Sequence, residues 1–141
     1  MNYMKLTIYT DGGARGNPGP GGIGAVAKDE NGKIVFEISE YIGIATNNQA
    51  EYKAVVAAIK KAAELKVEEL DFYLDSELVV KQLNREYRVK NADLAPLFVQ
   101  IYNVIMKFKK VTFRHVPREM NQEADKLVNK ALDERRNSHN V

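Results

Sequence analysis

Lys5-Leu6-Thr7-Ile8-Tyr9-Thr10-Asp11-Gly12-Gly13-Ala14-Arg15-Gly16-Asn17-Pro18-Gly19-Pro20-Gly21-Gly22 is the most informative stretch of this chain. Leu6 and Ile8 alternate with Thr7 and Tyr9, the period of a half-buried strand over Lys5 to Thr10. Asp11 then stands where that strand opens into a segment almost without side chains. Seven of the nine glycines in the chain (12, 13, 16, 19, 21, 22 and 24) and two of its four prolines fall in or just beyond this segment. Glycine is used where φ must be positive or where another backbone must come close. The segment therefore reads as a shaped loop able to admit the backbone of a polyanion. A flexible linker would not begin with a carboxylate at the end of a β-branched strand.

Working outward, Gly22 to Ala27 and Lys33 to Ile42 flank Asn31-Gly32, a strong hairpin signal, so the amino-terminal part is expected to be an antiparallel meander. From Asn47 the period becomes helical, with Tyr52, Val55, Val56, Ile59, Ala62 and Ala63 on one face and Asn47 or Asn48 as the expected cap. Leu70 to Leu74 is a second apolar strand ending at Asp75, and Ser76 starts a short helix that turns Val79, Val80 and Leu83 inward. A third helix is expected over Asp93 to Phe108 with Pro96 in its first turn. Val111 to Val116 is the last strand, and Asn121 is expected to cap a final helix with an apolar stripe of Ala124, Leu127, Val128, Ala131 and Leu132. The tail is expected to fray from about Arg135. Strands followed by alternating helices and strands predict one α/β domain over residues 1–141, a mixed five-stranded sheet flanked by helices.

At 141 residues and 45% hydrophobic, the chain can bury one core without disulfide or metal staples. It has no cysteine, which excludes a thiolate metal site and a cysteine nucleophile and suits a reducing compartment, so a cytoplasmic location is expected. Met1 to Tyr9 is too short and too polar for an export segment, and no membrane association is expected. Net charge is only +2 with 28% charged residues, so a uniform basic coat is excluded and any polyanion grip must be local. Lys81, Arg85 and Arg88, at helical spacing with Lys90 following, form one such candidate face; the alternative is an ordinary solvated helix face.

Asp11 and Asp75 each follow an apolar strand. If those strands are parallel neighbours, both carboxylates emerge at the carboxyl edge of the sheet, where α/β proteins place their sites. Glu51 lies on the inward face of its helix, away from Lys60 and Lys61, and a buried glutamate needs a partner. Asp125 sits in the first turn of the last helix, where the dipole alone would favour it. Four carboxylates with no cysteine and no well-placed histidine suit hard cations bound through oxygen, Mg²⁺ or Mn²⁺, and do not suit zinc.

Four segments now stand in order: Tyr9-Thr10-Asp11-Gly12-Gly13 with Gly16 to Gly22, Ala45-Thr46-Asn47-Asn48-Gln49-Ala50-Glu51, Leu74-Asp75-Ser76, and Asn121-Gln122-Glu123-Ala124-Asp125. With them, nearly the whole chain resembles a type 1 ribonuclease H. The resemblance implies a ribonuclease H-like fold and hydrolysis of the RNA strand of an RNA/DNA hybrid with two metal ions. It implies that Asp11, Glu51, Asp75 and Asp125 hold the metals. Gly12, Gly13, Asn17, Thr46, Asn47, Asn48 and Ser76 would contact substrate, and Asn91 with Thr46 would form part of a pocket for a DNA-strand phosphate. No obligatory protein partner is evident, and a monomer is expected. The chain departs from the family in lacking both the basic insertion after the second helix and the loop histidine before the last one. Short members of the family share this pattern, with an arginine in place of the histidine, here Arg118, and the Arg85 and Arg88 face would take over part of the grip. Two further classes stay open: a non-catalytic nucleic-acid-binding module of the same fold, and a resolvase-like metal nuclease.

Overall fold

The first strand runs well past Asp11. In the computed structural model, which describes residues 2–139 and side chains through Arg135, β1 spans Asn2–Ala14 and pairs antiparallel with β2, Gly19–Lys28. Asp11 lies opposite Gly24 and Gly13 opposite Gly22, so most of the glycine run is paired strand rather than open loop. Only residues 15–18 form the turn, closed by Arg15 N–H donating to the Pro20 carbonyl at 2.9 Å, with Gly16 at φ +97°.

The reason is helix packing. A Cβ at Gly12 would lie 2.2 Å from the Ala50 carbonyl oxygen of α1 (Asn47–Ala63), and one at Gly24 would lie 2.2 Å from the Ala124 carbonyl oxygen of α4 (Gln122–His139). Paired residues share a face and successive residues alternate, so Gly12 and Gly24 point to opposite faces of the sheet. Two helix backbones thus close on the β1–β2 ribbon from either side, at distances that no side chain allows.

Further along the chain come β3 (Ile34–Ala45), β4 (Lys66–Leu74), α2 (Glu77–Leu83), α3 (Ala95–Ile105) and β5 (Lys110–His115), then a single 3₁₀ turn at Arg118–Met120. The five strands lie in the order β3-β2-β1-β4-β5; the first three are antiparallel, and β1–β4 and β4–β5 are parallel. Leu6 and Ile8 of β1, Ile23 and Ala25 of β2 and Leu70, Phe72 and Leu74 of β4 form the sheet's buried face. Val55, Ala58, Ile59 and Ala62 of α1 pack in the same core. The expected hairpin at Asn31-Gly32 is present: Gly32 takes φ +79°, and Asp29 Oδ1 accepts from the Asn31 and Lys33 amides.

Several boundaries differ from the sequence expectation. The cap of α1 is Thr46, not Asn47 or Asn48: Thr46 Oγ1 accepts from Gln49 N–H, and Gln49 Oε1 accepts from Thr46 N–H, a reciprocal pair that satisfies two amides at once. The third helix starts at Ala95 rather than Asp93, because the Asn91 carbonyl and side chain hold the preceding turn through Leu94, Ala95 and Asp93 amides. It ends at Ile105, three residues before the expected Phe108. The last helix continues to His139, past the point of expected fraying, while residues 140–141 of that tail lie outside the described residues.

Candidate active site

The parallel ladder of β1 with β4 ends at Tyr9 and Tyr73, and Asp11 and Asp75 follow two residues further on, beyond the carboxyl end of that ladder. Glu51 arrives from α1, which lies close enough because Gly12 has no side chain, and its Oε1 accepts from Gly12 N–H at 3.4 Å. One carboxylate oxygen from each of Asp11, Glu51 and Asp75 lies within 4.8 Å of the others. Asp125, on the first turn of α4, stands outside that tight group but lines the same cavity of about 440 Å³.

These carboxylates are costly without a cation. Burial pushes the Asp11 carboxyl up to about 7, with the charges of Asp75 and Asp125 adding to the shift and a hydrogen bond with Glu51 opposing it. Burial, followed by the charge of Asp11, raises Glu51 well above the usual carboxylate range. Glu51 Oε2 is buried without any hydrogen-bond partner. A buried carboxylate with an orphaned oxygen, grouped with two other carboxylates, is a donor set suited to a hard cation. The residues present therefore fit Mg²⁺ or Mn²⁺.

Arg118, in the 3₁₀ turn, lines the cavity beside Asp125 and among the described residues makes no ion pair; the nearby Glu123 is held by Lys28 at 2.7 Å. Arg15 also lines it, bound to Asp133 of α4 at 2.8 Å. The backbone at Gly13 is uncovered, since the nearest atom to an added Cβ there would be Asn47 Oδ1 at 4.0 Å.

The remaining expected contacts divide. Asn17 Oδ1 accepts from Asn47 N–H at 3.0 Å and Asn47 Oδ1 from Ala14 N–H at 2.9 Å, so both oxygens tie the β1–β2 turn to the start of α1, and among the described residues their amide donors have no partner. Thr46 and Ser76 use their hydroxyl oxygens as helix caps, which leaves each O–H proton to donate. Asn48 is exposed on the first turn of α1. No hydrogen bond joins Asn91 to Thr46 among the described residues; the Asn91 oxygen closes its own turn.

The basic face is a correction. The second helix ends at Leu83, so Lys81, Arg85 and Arg88 do not share one helix face. Arg85 turns the chain at φ +61° and lays its guanidinium over the Tyr102 ring, 4.4 Å from the centroid, while Lys81 pairs with Glu77 at 3.2 Å. Helical spacing in a sequence says nothing of where the helix stops, and here no glycine marks the left-handed residue.

Asn121 joins the site in a way the sequence does not show. Its side chain does not cap α4; Nδ2 donates instead to the Thr10 carbonyl at 2.8 Å and to Asp75 Oδ2 at 3.2 Å. Nothing in the sequence distinguishes such an asparagine from a helix cap.

A sheet of order 3-2-1-4-5 with acidic residues converging at the end of its central strands defines a ribonuclease H-like α/β protein. The family described as reverse transcriptase-like matches residues 9–131, and the chain belongs to it. A bifunctional protein of Mycobacterium tuberculosis is 41% identical over 92% of this chain and 36% of its own length. Ribonuclease HI of Halobacterium salinarum is 42% identical over 92% of this chain and 65% of that protein. The chain therefore spans between about a third and two thirds of these relatives' lengths. The crystal structure of the Halobacterium salinarum ribonuclease H1 superimposes with a TM-score of 0.89 at 41% identity, covering 92% of this chain and 98% of that one. LC11 ribonuclease H1, solved in complex with an RNA/DNA hybrid, superimposes with a TM-score of 0.86 at 45% identity, covering 92% and 97%.

Proposed function

We propose that this chain is a metal-dependent endonuclease that hydrolyses the RNA strand of RNA/DNA hybrids. The observation that carries this reading is the trio Asp11, Glu51 and Asp75, with oxygens within 4.8 Å of one another and Glu51 Oε2 unpartnered. The relatives named ribonuclease H and the hybrid-bound structure at 45% identity supply the substrate class.

Asp11, Glu51, Asp75 and Asp125 would hold two Mg²⁺ ions, with Mn²⁺ as a substitute. When bound, such ions supply an activated water and neutralise charge on the leaving oxygen. The chain's own groups do the rest. The uncovered backbone at Gly13 lets a wide minor groove approach, where 2′-hydroxyls distinguish RNA from DNA. The free amide donors of Asn17 and Asn47, with Asn48 and the Thr46 and Ser76 hydroxyl protons, position the strands. Arg118 holds the phosphate beside Asp125 through its guanidinium donors. The reading includes one catalytic domain, a monomer without an obligatory protein partner, in the cytoplasm. Among the described residues, no helix is long and apolar enough to cross a membrane.

Incubation with labelled RNA/DNA hybrid, duplex DNA and duplex RNA, each with and without Mg²⁺, tests it. Cleavage of the RNA strand of the hybrid alone, only with metal, is expected, and Arg118→Ala should lower kcat about ten-fold with little change in binding. Cutting of all-DNA duplex would favour a resolvase-like nuclease, and hybrid binding without cleavage a non-catalytic module.

A further inference from the structure

Asn121 touches three of the four carboxylate-bearing segments at once. Its Nδ2 donates to the Thr10 carbonyl, one residue before Asp11, at 2.8 Å and to Asp75 Oδ2 at 3.2 Å. Its own carbonyl accepts from the Asp125 N–H at 3.1 Å, the first bond of the turn that aims Asp125. The residue is 1% exposed, so its side chain is shielded from bulk water.

We propose that Asn121 is a positioning residue for the metal centre: by holding Asp75 Oδ2 it fixes that carboxylate and leaves Oδ1 to a metal ion. The inference rests on the reading of Asp11, Glu51 and Asp75 as metal ligands. Two observations separate it from ordinary packing. A structural asparagine at the start of a helix turns its oxygen onto the helix amides, yet Asn121 Oδ1 is buried with no hydrogen-bond partner. Its two N–H bonds therefore set the orientation of the side chain, at the expense of the oxygen. Moreover, Asp75 is only partly buried and follows the last residue of β4, so the ladder does not fix its side chain. A partner that orients a ligand in this way commonly governs metal affinity by 10–100-fold.

The test is Mg²⁺ binding by calorimetry on the full chain without substrate, beside steady-state cleavage. Asn121→Ala is expected to weaken Mg²⁺ binding by roughly ten-fold or more and to lower kcat by a similar factor. KM for the hybrid, measured at saturating Mg²⁺, should stay within about two-fold. On an Asp75→Asn background the same change should add little, because the carboxylate it orients is gone. A purely structural asparagine would lower the melting temperature and leave Mg²⁺ affinity within about two-fold at temperatures where the variant is folded; that result overturns the proposal. If Asn121→Ala does not fold, the wild-type chain decides: the Nδ2 proton resonances of Asn121 should shift on Mg²⁺ titration, and resonances that stay fixed while Mg²⁺ binds overturn the proposal. Mg²⁺ binding in a wild-type chain that leaves the hybrid uncut would count against the proposed function and leave this inference standing.

Discussion

Around Asp11, backbone meets backbone: a Cβ added at Gly12 would come within 2.2 Å of one helix, and one at Gly24 within 2.2 Å of another. Around Arg85 nothing is enclosed. That residue follows the end of α2, is exposed, and is fixed by a left-handed turn and the face of Tyr102. The first region places its charges by buried geometry, where small displacements are resisted by close packing. The second places its charges by side-chain contacts at the surface, each worth about 0.5–1 kcal/mol. Substitutions should accordingly act on chemistry and stability in the first region and on affinity in the second.

The largest effect is expected at Asp11. Asp11→Asn removes a shared charge from the trio and should lower cleavage by at least about a thousand-fold, roughly 4 kcal/mol of transition-state stabilisation. The metal-free fold should respond in the opposite sense. Below the ordinary value of 3.8, Asp11 is protonated in the folded and the unfolded chain. Between 3.8 and about 7 only the folded chain keeps the proton, so metal-free stability falls as pH rises through that window and levels off above it. Asn at this position should flatten that part of the profile and leave the variant more stable than wild type at pH 8 in EDTA. Thermal melts from pH 4 to 8, with EDTA and with Mg²⁺, measure both terms. A variant that melts below wild type at pH 8 without metal would show that the carboxylates are not strained.

Gly12→Ala tests the packing itself. The added methyl meets the Ala50 carbonyl and the Glu51 amide, both backbone, so α1 must move rather than a side chain rotate. A loss of about 3 kcal/mol or more is expected, measured by denaturant unfolding, with Mg²⁺ affinity reduced because Glu51 shifts with its helix. Gly13→Ala is the control on the next residue, since an added Cβ there finds nothing closer than 4.0 Å. Equal losses at 12 and 13 would mean that both glycines serve the strand and neither the helix contact.

The same contrast explains what could be read from the sequence. The strands themselves and the inward face of Glu51 follow from apolar periodicity, which reports buried contacts, whereas the strand order and the parallel pairing of β1 with β4 come from the fold. The glycine run was visible, but its cause was not: glycine demanded by an approaching helix looks the same in one dimension as glycine demanded by a loop. Asn121 and Arg85 were misread for a related reason. A helix cap and a ligand-orienting amide use the same residue, and only the fold says whether Asn121 faces its own helix or Thr10 and Asp75. A helix periodicity can be continued on paper through Arg85 and Arg88, although the Lys81 carbonyl already accepts from the Glu86 and Tyr87 amides in the turn that ends it.

The smallest effects belong to that turn. Arg88→Glu should raise KM for a hybrid a few-fold and reduce the steepness of its dependence on salt, because fewer counterions leave the duplex on binding, while kcat at saturation stays near wild type. Arg85→Glu should act in the same direction and carry an added stability loss of about 0.5–1 kcal/mol, from the contact with Tyr102. The two positions thereby separate charge from packing. If both raise KM and only Arg85→Glu lowers the melting temperature, the segment grips the substrate without a helix face, through a turn whose shape Tyr102 maintains. If neither changes KM across a salt series, the segment is ordinary solvated surface, and the grip must come from the site itself, where Arg15 and Arg118 line the cavity.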